Sequence, residues 1–189
     1  EQYGDIDSYS RAWIHAAVVS ACSGHLGKSV FQCSEYELGA IGLLHDIGKY
    51  FINMLEQSPE TADDLPVLIK EERRYGINHA QLGSLIAARW QLPEPIQKGI
   101  EYHHYPSYLA PESIPENYRK QGFAICLSDL ICKAMGFAGN ENEILSIRNE
   151  YYEVFKLNRD LSEIITTGLI KEIEKARFTV ESYVSATLT

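Results

Sequence analysis

Leu43-Leu44-His45-Asp46-Ile47-Gly48-Lys49 sets a histidine and an aspartate side by side inside an apolar run. An ionised carboxylate is costly to bury unless it is paired or bound to a metal, and the segment from Leu38 to Ile47 offers no basic partner. A cation is the simplest compensation; a His-Asp hydrogen bond at the end of a core helix is the alternative that the dipeptide alone leaves open. Similar settings recur. His15 lies within Ala12-Trp13-Ile14-His15-Ala16-Ala17-Val18, His79 opens the run to Trp90, and His103-His104 is a doublet. Asp129 interrupts the apolar stretch from Phe123 to Ile131. His25, in Ser23-Gly24-His25-Leu26-Gly27, is expected in a surface turn between helices.

Working outward, Ser8 to about Cys22 reads as a helix apolar nearly all round, which would bury His15. Taken alone, that imidazole would be read as bonded to a backbone carbonyl. Ser34-Glu35-Tyr36-Glu37 has capping-box form and starts a helix to His45, in which Gly39 and Gly42 would let another helix approach closely. Lys49 shares a face with His45 if the helix continues past Gly48; it could meet a substrate phosphate or be a surface lysine. A further helix is expected through Phe51 to Glu56, and another from Pro59 to near Gly76, with Glu71-Glu72-Arg73-Arg74 as a solvated face. Asn78-His79-Ala80-Gln81 places His79 in the first turn of the next helix.

Pro93-Glu94-Pro95 starts the helix that ends near the doublet, and the proline-bearing segment Tyr105 to Asn117 is a candidate lid. Adjacent helical residues point about 100° apart, so His103 and His104 could share an ion only if it lies between them or the backbone is leaving the helix. One of them could instead be an imidazolium at a helix C-terminus. Asn117 to Phe137 is a helix burying Asp129, and Glu143 to Phe155 and Leu161 to Val184 are amphipathic helices, with Tyr151, Tyr152 and Phe155 expected in the core. No strand pattern appears, so the expected fold is all-α.

The order of these residues resembles the HD superfamily of metal-dependent phosphohydrolases: a first His, then His-Asp, a His opening a later helix, a His-His doublet and a distant Asp. Within it the chain looks most like the HDOD branch, on Gly42 to Lys49, on Tyr75-Gly76-Ile77-Asn78-His79-Ala80-Gln81-Leu82-Gly83, and on Trp90-Gln91-Leu92-Pro93-Glu94-Pro95-Ile96 running into His103-His104. The resemblance covers about residues 8 to 139 and more loosely the rest. It implies an HD-like helical bundle with a metal site between core helices, one domain over residues 1–189 whose segment 139–189 is a C-terminal helical extension. It also implies that His15, His45, Asp46 and Asp129 hold one divalent ion and His79, His103 and His104 a second, with Asp46 bridging and Lys49 facing substrate.

Such a ligand set suits Fe, Mn, Zn, Co or Ni, and two ions about 3.5 to 4 Å apart would stabilise the attacking and leaving oxygens of a phosphoryl displacement. Cyclic-dinucleotide phosphodiesterases of the HD-GYP branch share the His-Asp-Ile-Gly-Lys stretch. They follow the doublet with an acidic residue and a Gly-Tyr-Pro segment, where this chain has Tyr105-Pro106-Ser107-Tyr108-Leu109. Two readings therefore stand: a metal-dependent phosphohydrolase acting in signal transduction, with Asp46 and Lys49 in the catalytic centre, and an HDOD-type regulatory module with a structural or vestigial site.

Composition bounds the partners. The 189 residues carry a formal charge of −9 and 45% hydrophobic side chains, enough for a sizeable core but unsuited to general nucleic-acid binding. A phosphate-bearing small molecule, nucleotides among them, would need a local positive centre such as metal ions, and a signalling protein is the other expected partner. Apolar runs break well before the ~18 residues that cross a bilayer, and no signal-peptide pattern opens the chain. Cys22, Cys33, Cys126 and Cys132 lack CxxC spacing and are expected as reduced thiols in a cytoplasmic protein, with a disulfide left open. The chain opens on Glu1 rather than Met, so sequence upstream of it is allowed for.

Overall fold

The computed structural model describes residues 6–55, 65–137 and 146–187. Its helices are α1 (Ile6–Leu26), α2 (Glu35–Leu44), α3 (Ile47–Leu55), α4 (Val67–Tyr75), α5 (His79–Arg89), α6 (Glu94–Tyr102), the single turn α7 (Tyr105–Tyr108), α8 (Glu116–Ala134), α9 (Asn149–Phe155) and α10 (Thr167–Thr187). No strand occurs among the described residues, as the sequence pattern requires. α1 is the central rod, with α2, α8 and α10 against it and Val18, Val19, Cys22 and Leu26 fully buried. α6 packs against α2, α5 and α8.

Small residues determine how closely these helices approach. The turn expected at Ser23-Gly24 is helical: α1 runs on to Leu26 and closes through a π-type turn, Gly27–Phe31, at Gln32. Ser23 and Gly24 serve the contact with α2 instead. Ser23 Oγ donates to Leu38 O at 2.9 Å, and a Cβ on Gly24 would come within 3.1 Å of Glu35 O. His25 accordingly sits half-buried in the last turn of α1 rather than in a surface turn. Ser34 caps α2 by accepting from Glu37 N at 3.2 Å, but the Glu37 carboxylate accepts from Gln121 Nε2 of α8 at 3.1 Å. The expected box is thus half local and half tertiary.

Gly48 places the first turn of α3 directly on the first turn of α5. A Cβ there would overlap the His79 carbonyl oxygen and stand 2.9 Å from Gly83 N. Gly39, by contrast, has ordinary room, 3.5 Å from Ser20 O. Gly48→Ala should therefore destabilise the chain by about 1–3 kcal/mol through overpacking. Gly39→Ala should be neutral or stabilising, since it only removes the helix penalty of glycine, roughly 1 kcal/mol. Denaturant titration of both variants separates the cases, and equal effects would mean that Gly48 is not a spacer.

Asn78 and Gln81 form the expected capping box at the start of α5, and Gly76 ends α4 at φ 74°. The starts expected for two helices, Pro59 and Glu143, and the end at Glu56 lie outside the described residues; α4 itself begins at Val67 and α9 at Asn149. In the segment Tyr105 to Asn117, Pro106, Pro111 and Ile114 are buried and α7 lies on α8, while Tyr108, Leu109 and Pro115 are exposed. The last helix begins at Thr167, not Leu161. Asp160 Oδ1 accepts the backbone N–H and the hydroxyl of Ser162 at 2.9 and 2.8 Å, and this turn, with Leu161 at φ 55°, delays the helix. The aromatic group is core as expected: the Phe123 ring stacks on Phe155 at 4.8 Å and on Tyr151 at 5.6 Å. Leu169 and Ile173 of α10 are fully buried. No described helix is long and apolar enough to cross a membrane.

Candidate metal centre

Each candidate ligand owes its position to a helix end or a buried helix face. His45 caps the C-terminus of α2, and Asp46 lies in the bend before α3. His79 is the first residue of α5. His103 and His104 lie between α6 and α7, where the backbone leaves the helix, and their ring centroids are 4.0 Å apart. His15 and Asp129 project from the buried faces of α1 and α8. All seven residues singled out in the sequence thus meet in one centre.

They meet as two groups: His15, His45 and Asp129, and Asp46, His79, His103 and His104. Asp46 also touches the first. Its Oδ1 lies 3.4 Å from His79 Nε2 and 3.8 Å from His103 Nε2, while its Oδ2 lies 3.4 Å from His45 Nε2 and 3.9 Å from His15 Nε2. Asp129 Oδ1 is 3.3 Å from His15 Nε2, and the Nε2 atoms of His79 and His104 are 2.9 Å apart. Two nitrogens at about 2.1 Å from one ion are separated by about 3.0 Å at a right angle and about 3.4 Å at a tetrahedral angle. The observed spacings cluster around that range.

Hydrogen bonding tells the same story. The Nδ1 atoms of His15, His45 and His103 lie 2.7, 2.8 and 2.7 Å from the carbonyls of Phe137, Gly42 and Ile100, which assigns each of these rings an Nδ1–H and an inward Nε2 lone pair. Those three Nε2 atoms, Asp46 Oδ1, Asp129 Oδ1 and His104 Nδ1 are buried without a hydrogen-bond partner. Leaving such groups unsatisfied costs about 1–3 kcal/mol each, more for charged ones. A cation coordinated by the inward lone pairs removes most of that cost, so the residues fit divalent metal.

Two lysines hold the remaining carboxylate oxygens. Lys49 Nζ is 3.0 Å from Asp46 Oδ2 and Lys133 Nζ 2.9 Å from Asp129 Oδ2. Lys49 lies in the first turn of α3, three residues after Asp46. The side chains of Asp46 and Lys49 are 18% and 17% exposed, against 3% or less for His15, His45, His79, His103 and Asp129, so this pair lies at the more open edge of the centre. Burial raises the Asp46 carboxyl, but the His45 imidazole and the Lys49 ammonium outweigh it and hold the group well below the usual carboxylate range. Asp129 is likewise low, burial being overcome by His15 and Lys133. For His45 burial is overcome by the Asp46 carboxylate, which raises it, whereas burial and neighbouring imidazoles hold His103 and His104 well below the ordinary value.

Glu71 departs from expectation. It is buried, not on a solvated face, and its Oε2 accepts the backbone N–H of His79 at 2.8 Å and lies 2.7 Å from its Nδ1. Burial pushes the Glu71 carboxyl up to about 7, against the His79 N–H and the Lys49 ammonium. Lys133, one turn after Asp129, is a second contributor that the apolar pattern does not mark. The four cysteines are free thiols, Cys33 only half-buried, and burial pushes Cys126 up to about 12, which disqualifies it as a nucleophile at neutral pH.

Comparison with known proteins agrees with this fold. A Treponema pallidum (strain Nichols) protein of uncharacterized function is 29% identical over 85 residues, 41% of this chain and 16% of its own length. Three solved structures share the fold. One, from Marinobacter aquaeolei VT8 and provisionally named for signal transduction, has a TM-score of 0.65 at 18% identity, over 100% of this chain and 40% of its own. A second, from Shewanella amazonensis SB2B and provisionally named a phosphohydrolase, has a TM-score of 0.63 at 18% identity, over 97% and 65%. An HDOD domain protein of unknown function from Geobacter sulfurreducens has a TM-score of 0.61 at 19% identity, over 93% and 61%. The chain thus spans less than two thirds of each of these relatives. The HDOD domain model itself matches residues 2–106, over half of the sequence and including His15, His45, Asp46, His79 and the doublet, and the chain belongs to the HDOD family.

Proposed function

We propose that this domain is a two-metal phosphohydrolase of the HD type, acting on a phosphate ester in signal transduction. The observation that carries the reading is Asp46, whose two oxygens face two separate groups of imidazole nitrogens. In this arrangement His15, His45 and Asp129 would hold one ion, His79, His103 and His104 the other, and Asp46 both. Bound divalent ions would supply Lewis-acid polarisation of a phosphoryl oxygen and charge stabilisation of the departing one. The chain's own residues do the rest: the carbonyls behind the rings keep the imidazoles oriented, burial excludes bulk water, and Lys49 at the open edge offers an ammonium to phosphate.

Turnover of a panel of phosphomonoesters, nucleotides and cyclic dinucleotides with Mn, Fe, Ni or Co tests this. Hydrolysis that depends on metal is expected, and none across the panel would leave the regulatory reading. That second reading, an HDOD module with a structural metal site and a signalling protein as partner, is favoured by the near-complete burial of the five imidazoles. Lys49→Ala should weaken ester binding about tenfold or more, the value of a hydrogen bond to a charged group, while metal content is retained. Loss of metal in this variant would make Lys49 a structural counter-charge instead.

A further inference from the structure

The two groups of candidate ligands differ in charge. The first has a carboxylate of its own, Asp129, in addition to its share of Asp46; the second has three imidazoles and Asp46 alone. Behind the rings the asymmetry is reversed. His15, His45 and His103 are backed by backbone carbonyls, but His79 is backed by the Glu71 carboxylate, whose single oxygen meets both the ring Nδ1 and the backbone N–H. Such a partner makes the Nδ1–H tautomer the stable one and turns the Nε2 lone pair inward, toward Asp46 Oδ1. The contact is built from two elements. Asn78, which caps α5, also donates from Nδ2 to Glu72 Oε1 at 2.6 Å, so neighbouring carboxylates near the end of α4 both hold the start of α5 in place.

We propose that Glu71 is the second group's missing carboxylate: acting through the His79 ring, it supplies the negative charge that the first group takes directly from Asp129, and so sets the strength of one ion site independently of the other. The inference rests on the two-ion reading above. Glu71 is a positioning residue, since it reaches ion and substrate only through His79. An acidic partner polarises the Nδ1–H bond and makes Nε2 a better donor to a dication than a carbonyl partner does.

The test titrates the full chain, stripped with chelator, with Mn(II) by calorimetry. Glu71→Gln keeps an acceptor oxygen for both His79 donors and removes the charge. It should weaken one of two Mn(II) sites about 10–100-fold, as changes behind a ligand do, and leave the other within about twofold. Asp129→Asn should weaken the complementary site. Absorption of the Co(II)-loaded chain should change in Glu71→Gln only in the component contributed by the weakened site. Equal weakening of both sites, no weakening, or loss of helical circular dichroism in Glu71→Gln with Asp129→Asn still folded would each overturn the inference. A parent chain that binds no Mn(II) removes the two-ion reading as well; two ions in the parent with an indifferent Glu71→Gln removes this inference alone.

Discussion

Asp46→Ala is expected to strip both ions from the chain, the largest single loss among the ligand substitutions. Purified without chelator or nickel resin and then reconstituted, the parent should carry about one to two equivalents of transition metal by mass spectrometry. Asp46 stands 3.4 Å from an imidazole nitrogen of each group through a different oxygen, so its removal takes a ligand from both ions at once. It also leaves five inward or neighbouring imidazoles with Asp129 as the remaining carboxylate among them. Affinity should fall more than about 100-fold, beyond the 10–100-fold typical of a residue behind the ligands. His15→Ala, confined to one group, should spare the second ion. A variant at Asp46 that binds as much metal as the parent would remove the bridging role, and less than about a tenth of an equivalent in the parent would remove the centre itself.

The parts of this centre that could be read from sequence are those whose chemistry is expensive to bury. His15, His45, His79, the doublet and Asp129 each interrupt or border an apolar stretch, and burial of such groups demands partners wherever the helices go. Glu71 carried no comparable signal, because Glu72, Arg73 and Arg74 beside it are what a solvated helix face looks like. It is buried where its Oε2 meets the backbone N–H and ring of His79 at the start of α5, a contact with no local periodicity to announce it. Lys133 was in principle legible as the i+4 neighbour of Asp129. For Lys49 the spacing from His45 leaves a substrate phosphate and a surface position both open, and the ammonium stands 3.0 Å from Asp46 Oδ2, three residues before it.

Helix type and order followed the apolar pattern, but boundaries failed where glycine and serine had two uses. Ser23-Gly24 has the composition of a turn and the function of a helix-packing surface, and only the approach of α2 decides between them. At Leu161 the reverse held: an apolar residue at helical spacing was overridden by the Asp160–Ser162 turn. Among the prolines of the 105–117 segment, Pro106 and Pro111 are buried and Pro115 is exposed, a difference that proline content alone does not decide.

Metal-derived thermal stabilisation should be large at pH 8 and fall steeply between about pH 6 and 5, because imidazoles with an unperturbed pKa of about 6.5 must be neutral to coordinate. At free metal about 100 times its dissociation constant the stabilisation is about 2.7 kcal/mol, and each ligand that must shed a proton removes up to about 1.4 kcal/mol per pH unit below its pKa. The directions differ among individual ligands. His45 is raised in the metal-free fold by Asp46, so its protonated form stabilises that fold below the unfolded value and loses this advantage as pH rises through the folded one. Protons therefore compete with metal at His45. His103 and His104 are lowered, so their burial as neutral rings stabilises the fold above the unfolded value, is lost as pH falls, and leaves them open to metal at more acidic pH. Asp46 and Asp129 are held low and stay ionised throughout this window. Melting with and without added Mn(II) across this range measures the loss. A metal-induced shift that is constant from pH 8 to 5 would mean that oxygen ligands alone hold the ion, and that the five histidines are packed together for some other reason.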